Sequence, residues 1–115
     1  MREAELLLKN GHLHASVNRL YYACFYAVSA LLLTERQASA SHSGVRALFD
    51  QRWIKTGRLP RIMGRCYHRL FDMRQKSDYA DLAAFHKEDV QAWLQEAKEF
   101  VGEVFKIIEE KIPPT

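Results

Sequence analysis

The sequence predicts an all-α fold, an antiparallel up-and-down bundle of four to five helices. Three observations predict it. Apolar residues recur at steps of three and four through most of the 115-residue chain, the spacing of a single helix face. The interruptions are short and carry Asn-Gly, Thr-Gly or Pro, residues that end or begin helices. No stretch alternates convincingly enough to be a strand. Long helices with short connections pack as antiparallel neighbours.

The first helix spans about Arg2 to Lys9 and stops at Asn10-Gly11, a C-cap signal. The second runs from about Leu13 to Leu33, with Leu13, Val17, Leu20, Cys24, Ala27 and Leu31 as its stripe. Tyr22, Phe25, Tyr26 and Val28 fill other faces, so this helix is expected at the centre. Its uncharged run, Leu20 to Thr34, is fifteen residues long. A membrane span needs about 20, so the run reads as a core helix with no membrane partner. Tyr22 and Tyr26, spaced i and i+4, read as core aromatics with hydroxyls at the rim rather than as a base-stacking platform.

Glu35 to Ser41 is a polar loop, and Ser41 or Ser43 can cap a third helix, because a hydroxyl satisfies an orphan N–H of the first turn. Its stripe is Val45, Leu48, Phe49 and Trp53, and Thr56-Gly57 ends it. Pro60 suits the first turn of a fourth helix, where its missing N–H costs nothing. Ile62, Met63, Cys66, Leu70 and Met73 form the apolar side there. On the opposite side Arg61, Arg65, Arg69 and Lys76 fall within about 80° of one another, interrupted by Asp72. Ser77 to Phe85 reads as a loop. The last helix covers about His86 to Lys111, with a seam of Val90, Leu94, Ala97, Val101, Val104 and Ile108 widened by Phe100 and Phe105. Pro113-Pro114 stop it. Residues 1–112 make one domain and 113–115 a short tail, since the chain is below the usual ~150 residues per domain.

Composition narrows the function classes. Hydrophobic residues are 48% and charged residues 27%, a globular balance that excludes a disordered chain. Two cysteines exclude a disulfide framework and read as reduced thiols in a cytoplasmic protein. The charged opening Met1-Arg2-Glu3 does not read as a signal peptide. From Arg46 to Lys76 there are nine basic residues and two acidic ones, net +7, against −4 elsewhere. That asymmetry suits a polyanion or an acidic protein surface, and it equally suits a solvated face.

Few residues offer chemistry. His12 and His14 point to different helix faces, and no metal-ligand spacing is present, so neither a metal nor a cofactor is expected. Cys24 and Cys66 lie on apolar sides, where a thiol is inert. No nucleophile elbow or phosphate-cradling glycine loop occurs. Asn18-Arg19 sets a guanidinium at the edge of a buried helix. Arg19 then needs a carboxylate or carbonyl, or joins an anion site. Arg74, Asp78 and Tyr79 together offer a cation for phosphate, a carboxylate to orient it and a phenol. Alternatively Asp78 pairs with Arg74 and caps the following turn.

The run Asn18-Arg19-Leu20-Tyr21-Tyr22-Ala23-Cys24-Phe25-Tyr26-Ala27 with Ala30-Leu31-Leu32 resembles the signature helix of HEPN domains. His42-Ser43-Gly44 with Phe49 and Lys55-x-Gly57 is similar to a second block, and Arg74-x-x-x-Asp78-Tyr79 to a third. The resemblance covers nearly the whole chain. It implies an up-and-down bundle that commonly dimerises, in a prokaryotic cytosolic protein often encoded beside a minimal nucleotidyltransferase, some such pairs acting as toxin and antitoxin. Many members are metal-independent ribonucleases with an Arg, four to six residues, then a His, the two forming a composite site at the dimer interface. Here Tyr79 stands where that His is expected, and Asp81 where some members carry a Tyr that the nucleotidyltransferase modifies. A phenol, with an ordinary pKa of about 10, is a poor base at neutral pH. Arg36 with His42 and Arg61 with His68 also fit the bare spacing, but in other elements.

The leading reading is therefore a non-catalytic interaction module that forms a homodimer and partners a minimal nucleotidyltransferase. The alternatives are an RNA-binding protein or divergent endoribonuclease, with Arg61, Arg65, Arg69 and Lys76 tracking phosphates, and a nucleotide site built from Asn18, Arg19, Tyr22, Arg74 and Asp78. His42 belongs to the resemblance's second block, with a loop-to-helix structural role expected for it.

Overall fold

The computed structural model describes residues 1–77 and 85–112. Helix α1 is Arg2–Lys9, α2 Leu13–Leu33, α3 His42–Phe49, α4 Arg61–Ser77 and α5 Lys87–Lys111. One π-helical turn, Asp50–Ile54, continues α3 without a break. Among the described residues no strand occurs, and the fold is an all-α helical bundle. Asp78, Tyr79 and Asp81 lie outside the described residues, as do Pro113 and Pro114.

Local chemistry sets the boundaries. Gly11 and Gly57 adopt φ of 79° and 77°, left-handed backbone that only glycine takes without strain; they separate α1 from α2 and close the turn after the π segment. The Ser41 hydroxyl accepts from the Gly44 N–H at 2.9 Å, a cap worth about 1 kcal/mol. A side chain at position 44 would collide with the Ser39 and Ser41 hydroxyls, so glycine there keeps the cap intact.

Helix α2 is central and packs on α1, α3, α4 and α5. It buries Val17, Leu20, Tyr21, Cys24, Val28 and Leu31 completely. An aromatic spine crosses the core: Tyr21 stacks on Tyr67 at 6.1 Å, Tyr67 meets Phe49 edge-on at 5.5 Å, and Phe49 meets Phe100 at 5.8 Å. Four helices are thereby joined. Helix α1 is tied down by Ser16, whose hydroxyl donates to the Ala4 carbonyl at 2.9 Å, and by the ion pairs Arg19–Glu3 and Lys98–Glu5.

Three residues assigned to the core from sequence are instead exposed: Tyr26 is 65% exposed, Ile62 66% and Phe105 46%. Helix geometry explains Tyr26, which lies two residues from buried Cys24, about 160° around α2. Phe105 lies at the edge of the α5 seam, about 60° from buried Ile108. Ile62 sits at the edge of the α4 stripe, where no helix covers it.

The end of α5 is fastened by Glu35. Its carboxylate accepts from both terminal nitrogens of Arg58, at 3.1 and 2.9 Å, and from Lys111 at 3.4 Å. The Arg58 guanidinium also lies 3.6 Å over the Trp53 ring. Hydrogen bonding to Arg58 holds the Glu35 carboxyl below its ordinary range. A depressed carboxyl pKa contributes stability above its unfolded value and loses it as pH falls through the folded one. The urea midpoint should therefore drop below about pH 4.3, and Glu35→Gln should show a smaller drop over that window. Parallel acid profiles would refute the clamp.

Candidate functional site

Helices α3 and α4 run antiparallel, and their side chains meet in regular steps of four. Arg46 pairs with Asp72 at 3.6 Å. The Asp50 carboxylate meets His68 Nε2 at 2.8 and 2.7 Å. Ile54 covers Gly64, where an added Cβ would stand 3.3 Å from its side chain. The same ladder, continued the other way, leads from His42 to the last turn of α4, which carries Arg74 and Lys76.

His42 is the first residue of α3 and is half-buried. Its Nδ1 hydrogen-bonds the Tyr21 hydroxyl at 2.8 Å, and its ring stacks on Phe25 at 4.3 Å. Burial, and then the positive charge of Arg74, lower its pKa, so the imidazole is neutral at pH 7. Burial raises the Tyr21 pKa and keeps that phenol protonated. The tautomer of the imidazole sets which of the two groups donates in this hydrogen bond. The Arg74 guanidinium carbon lies 5.2 Å from the Tyr21 ring centroid and 5.3 Å from that of Tyr22, within cation–π reach. Tyr22 stands edge-on to both Tyr21 and His42. Asn18 is half-buried one turn before Tyr22 on α2.

This corner brings together Arg74, Tyr22 and His42. A guanidinium, an imidazole and an aromatic face suit an anion attached to a flat ring or a sugar. Tyr21, Phe25 and Arg46 were not singled out from sequence as site residues, yet they hold the corner. Arg46 packs its guanidinium 4.4 Å over Phe71 while pairing with Asp72. The legible signal was the ladder itself: the residue pairs 46 with 72 and 50 with 68 are complementary in kind and each four apart.

The other candidates lie elsewhere. Arg19 Nε pairs with Glu3 at 3.0 Å on the α1 side. Arg69 donates to Glu96 at 2.7 Å. Arg65 and Arg69 form one bank of a groove of about 520 Å³ between α4 and α5, floored by Met63, Cys66 and Phe100, with Glu96, Glu99 and Glu103 on the far bank. The positive stripe of α4 is thus faced by carboxylates. Arg61 and Lys76 are exposed. Burial pushes the Cys66 thiol up to about 11 and also raises Cys24 well above the ordinary thiol range, so neither is a nucleophile at neutral pH. Among the described residues no group of three or more His, Cys, Asp or Glu could hold a metal ion, and no helix is long and apolar enough to cross a membrane.

A family model described as the HEPN domain matches residues 1–110. A UPF0332 protein of Thermotoga maritima is 44% identical over 94% of this chain and 82% of its own length. Two Methanocaldococcus jannaschii proteins are named Putative toxin MJ0605 and Putative toxin MJ0142. They are 31% and 30% identical, over 93% and 94% of this chain and 79% and 74% of their own lengths.

Proposed function

Because the chain belongs to the HEPN family, we propose that it is a non-catalytic interaction module, a cytoplasmic homodimer that partners a minimal nucleotidyltransferase in a toxin–antitoxin type pair. One observation carries this reading. The bundle closes its own core and still leaves Tyr26 and Leu33, on the same side of α2, more than 60% exposed, and a contiguous uncovered apolar patch marks a protein-binding surface. The toxin names of two relatives support the pairing, as does Tyr79 at the position where ribonucleases of the family carry His. The test is capture of the tagged chain from host lysate, with and without nuclease treatment. Recovery of a nucleotidyltransferase in both samples, with no RNA cleavage by the purified chain, is expected. RNA recovered without a stoichiometric protein would overturn the reading.

A second reading, an RNA-binding protein or divergent endoribonuclease, draws on a different observation. His42, far from Arg74 in sequence, lies close enough for the Arg74 charge to lower its pKa. An imidazole is therefore present at the corner although Tyr79 occupies the expected histidine position.

A further inference from the structure

We infer that the groove between α4 and α5 receives an amphipathic helix of the partner protein, one with acidic side chains along one flank of its apolar stripe and basic ones along the other. This rests on reading the chain as a partner-binding module and adds the surface and the chemistry that fits it. Met63, Cys66 and Phe100 make the floor apolar, and Ile62 stands 66% exposed on the rim. The Arg69–Glu96 pair bridges the two banks at 2.7 Å. From that bridge the lining runs back to Pro60 on α4 and forward to Glu103 on α5. The two helices are therefore antiparallel here, and the groove extends about 10 Å beyond the bridge, two turns of a helix.

Beyond the bridge the banks differ in sign and do not pair with each other. Arg65 is exposed and makes no ion pair among the described residues. Glu99 accepts from Gln95 at 3.3 Å and Glu103 faces Lys106 at 3.8 Å, both partners on α5 itself. These charges select the occupant. A helix lying in a groove places apolar side chains at i, i+4 and i+7 on the floor. Its acidic flank then meets Arg65 and its basic flank meets Glu99 and Glu103, so charge fixes which way round the helix lies.

Other occupants match less well. Two copies of the groove facing each other leave both floors empty. The outward face of α2, uncharged from Leu20 to Thr34, answers neither bank. A nucleic acid would bring its phosphates against the carboxylates of α5.

The experiment uses labelled synthetic peptides of about 15 residues, long enough to form a helix on docking, with leucines at i, i+4 and i+7. One peptide has glutamate along one flank and lysine along the other, a second has glutamate on both flanks, and a third lysine on both. Fluorescence anisotropy reads their binding to the full chain, and circular dichroism checks that each variant folds. Wild type should bind the mixed peptide about tenfold tighter than either uniform one. Arg65→Glu makes both banks acidic, so its preference should pass to the lysine peptide, a change of order that misfolding does not produce. Equal binding of the three peptides, or an order unchanged in Arg65→Glu, overturns the inference. So does a self-associated wild type that Ile62→Glu disperses, because a second copy then fills the groove. Capture from host lysate separates this inference from the partner reading. Arg65→Glu and Ile62→Glu should lose the nucleotidyltransferase that wild type retains. If both variants retain it, the groove inference falls while the partner reading stands. If wild type prefers the mixed peptide but retains no nucleotidyltransferase, the partner reading falls and the groove belongs to another protein's helix.

Discussion

Phe49→Ala is expected to destabilise the bundle by about 3–5 kcal/mol, against a total of roughly 5–15 kcal/mol for a domain of this kind. Phe49 has no exposed surface, and its ring sits edge-on to Tyr67 of α4 and Phe100 of α5. It is the last residue of α3 before the π-helical turn, so its truncation removes the contact that seats this short helix on the rest of the core. Collapse around the cavity is restricted, because Tyr67 is itself fully buried between Tyr21 and Phe100. Urea unfolding followed by circular dichroism reads the effect directly. Leu33→Ala, at a side chain 62% exposed, should change stability by about 0.5 kcal/mol or less. A Phe49→Ala loss below about 1 kcal/mol would mean that α3 is not anchored through this ring.

The same contrast shows what the sequence could and could not reveal. Helix α2 was legible because six apolar residues at steps of three and four outweigh any local ambiguity, and α1 because Asn10-Gly11 leaves a left-handed glycine as a stop. The Ser41 cap was legible as one of two serines. The π-helical turn was not, since Phe49 and Trp53 keep an ordinary i, i+4 spacing while the widening lies in the backbone, where the Lys55 N–H reaches the Asp50 carbonyl. Periodicity placed Tyr26 among apolar residues but could not say that α2 is left bare on that side; that depends on where α1, α3, α4 and α5 pack around it. The stripe of Arg61, Arg65, Arg69 and Lys76 was visible as positive charge, but the facing carboxylates of Glu96, Glu99 and Glu103 belong to a helix about thirty residues away. The pairing of His42 with Tyr21, and their nearness to Arg74, required three helices to be placed together. A motif read along one helix contains no such information.

Arg74→Ala is expected, under the RNA-binding reading, to weaken single-stranded RNA binding about tenfold and to lower the steepness of its salt dependence by about one charge. The reason is positional. Arg74 is held over Tyr21 and Tyr22, so its guanidinium meets a phosphate with little ordering left to lose, unlike the exposed Arg61 or Lys76. Arg74→Lys should keep the salt slope but lose part of the affinity, because an ammonium lacks the flat bidentate fork. His42→Ala should weaken binding while leaving the slope unchanged, since the imidazole is neutral. Fluorescence anisotropy of a labelled RNA across a salt series separates these effects, and thermal unfolding confirms that the variants fold. Salt-insensitive binding in the wild type, or an Arg74→Ala affinity equal to it, would remove the corner from RNA recognition. The Arg74 side chain would then be a structural clasp between α4 and α2, and the interaction-module reading would stand without a nucleic-acid ligand.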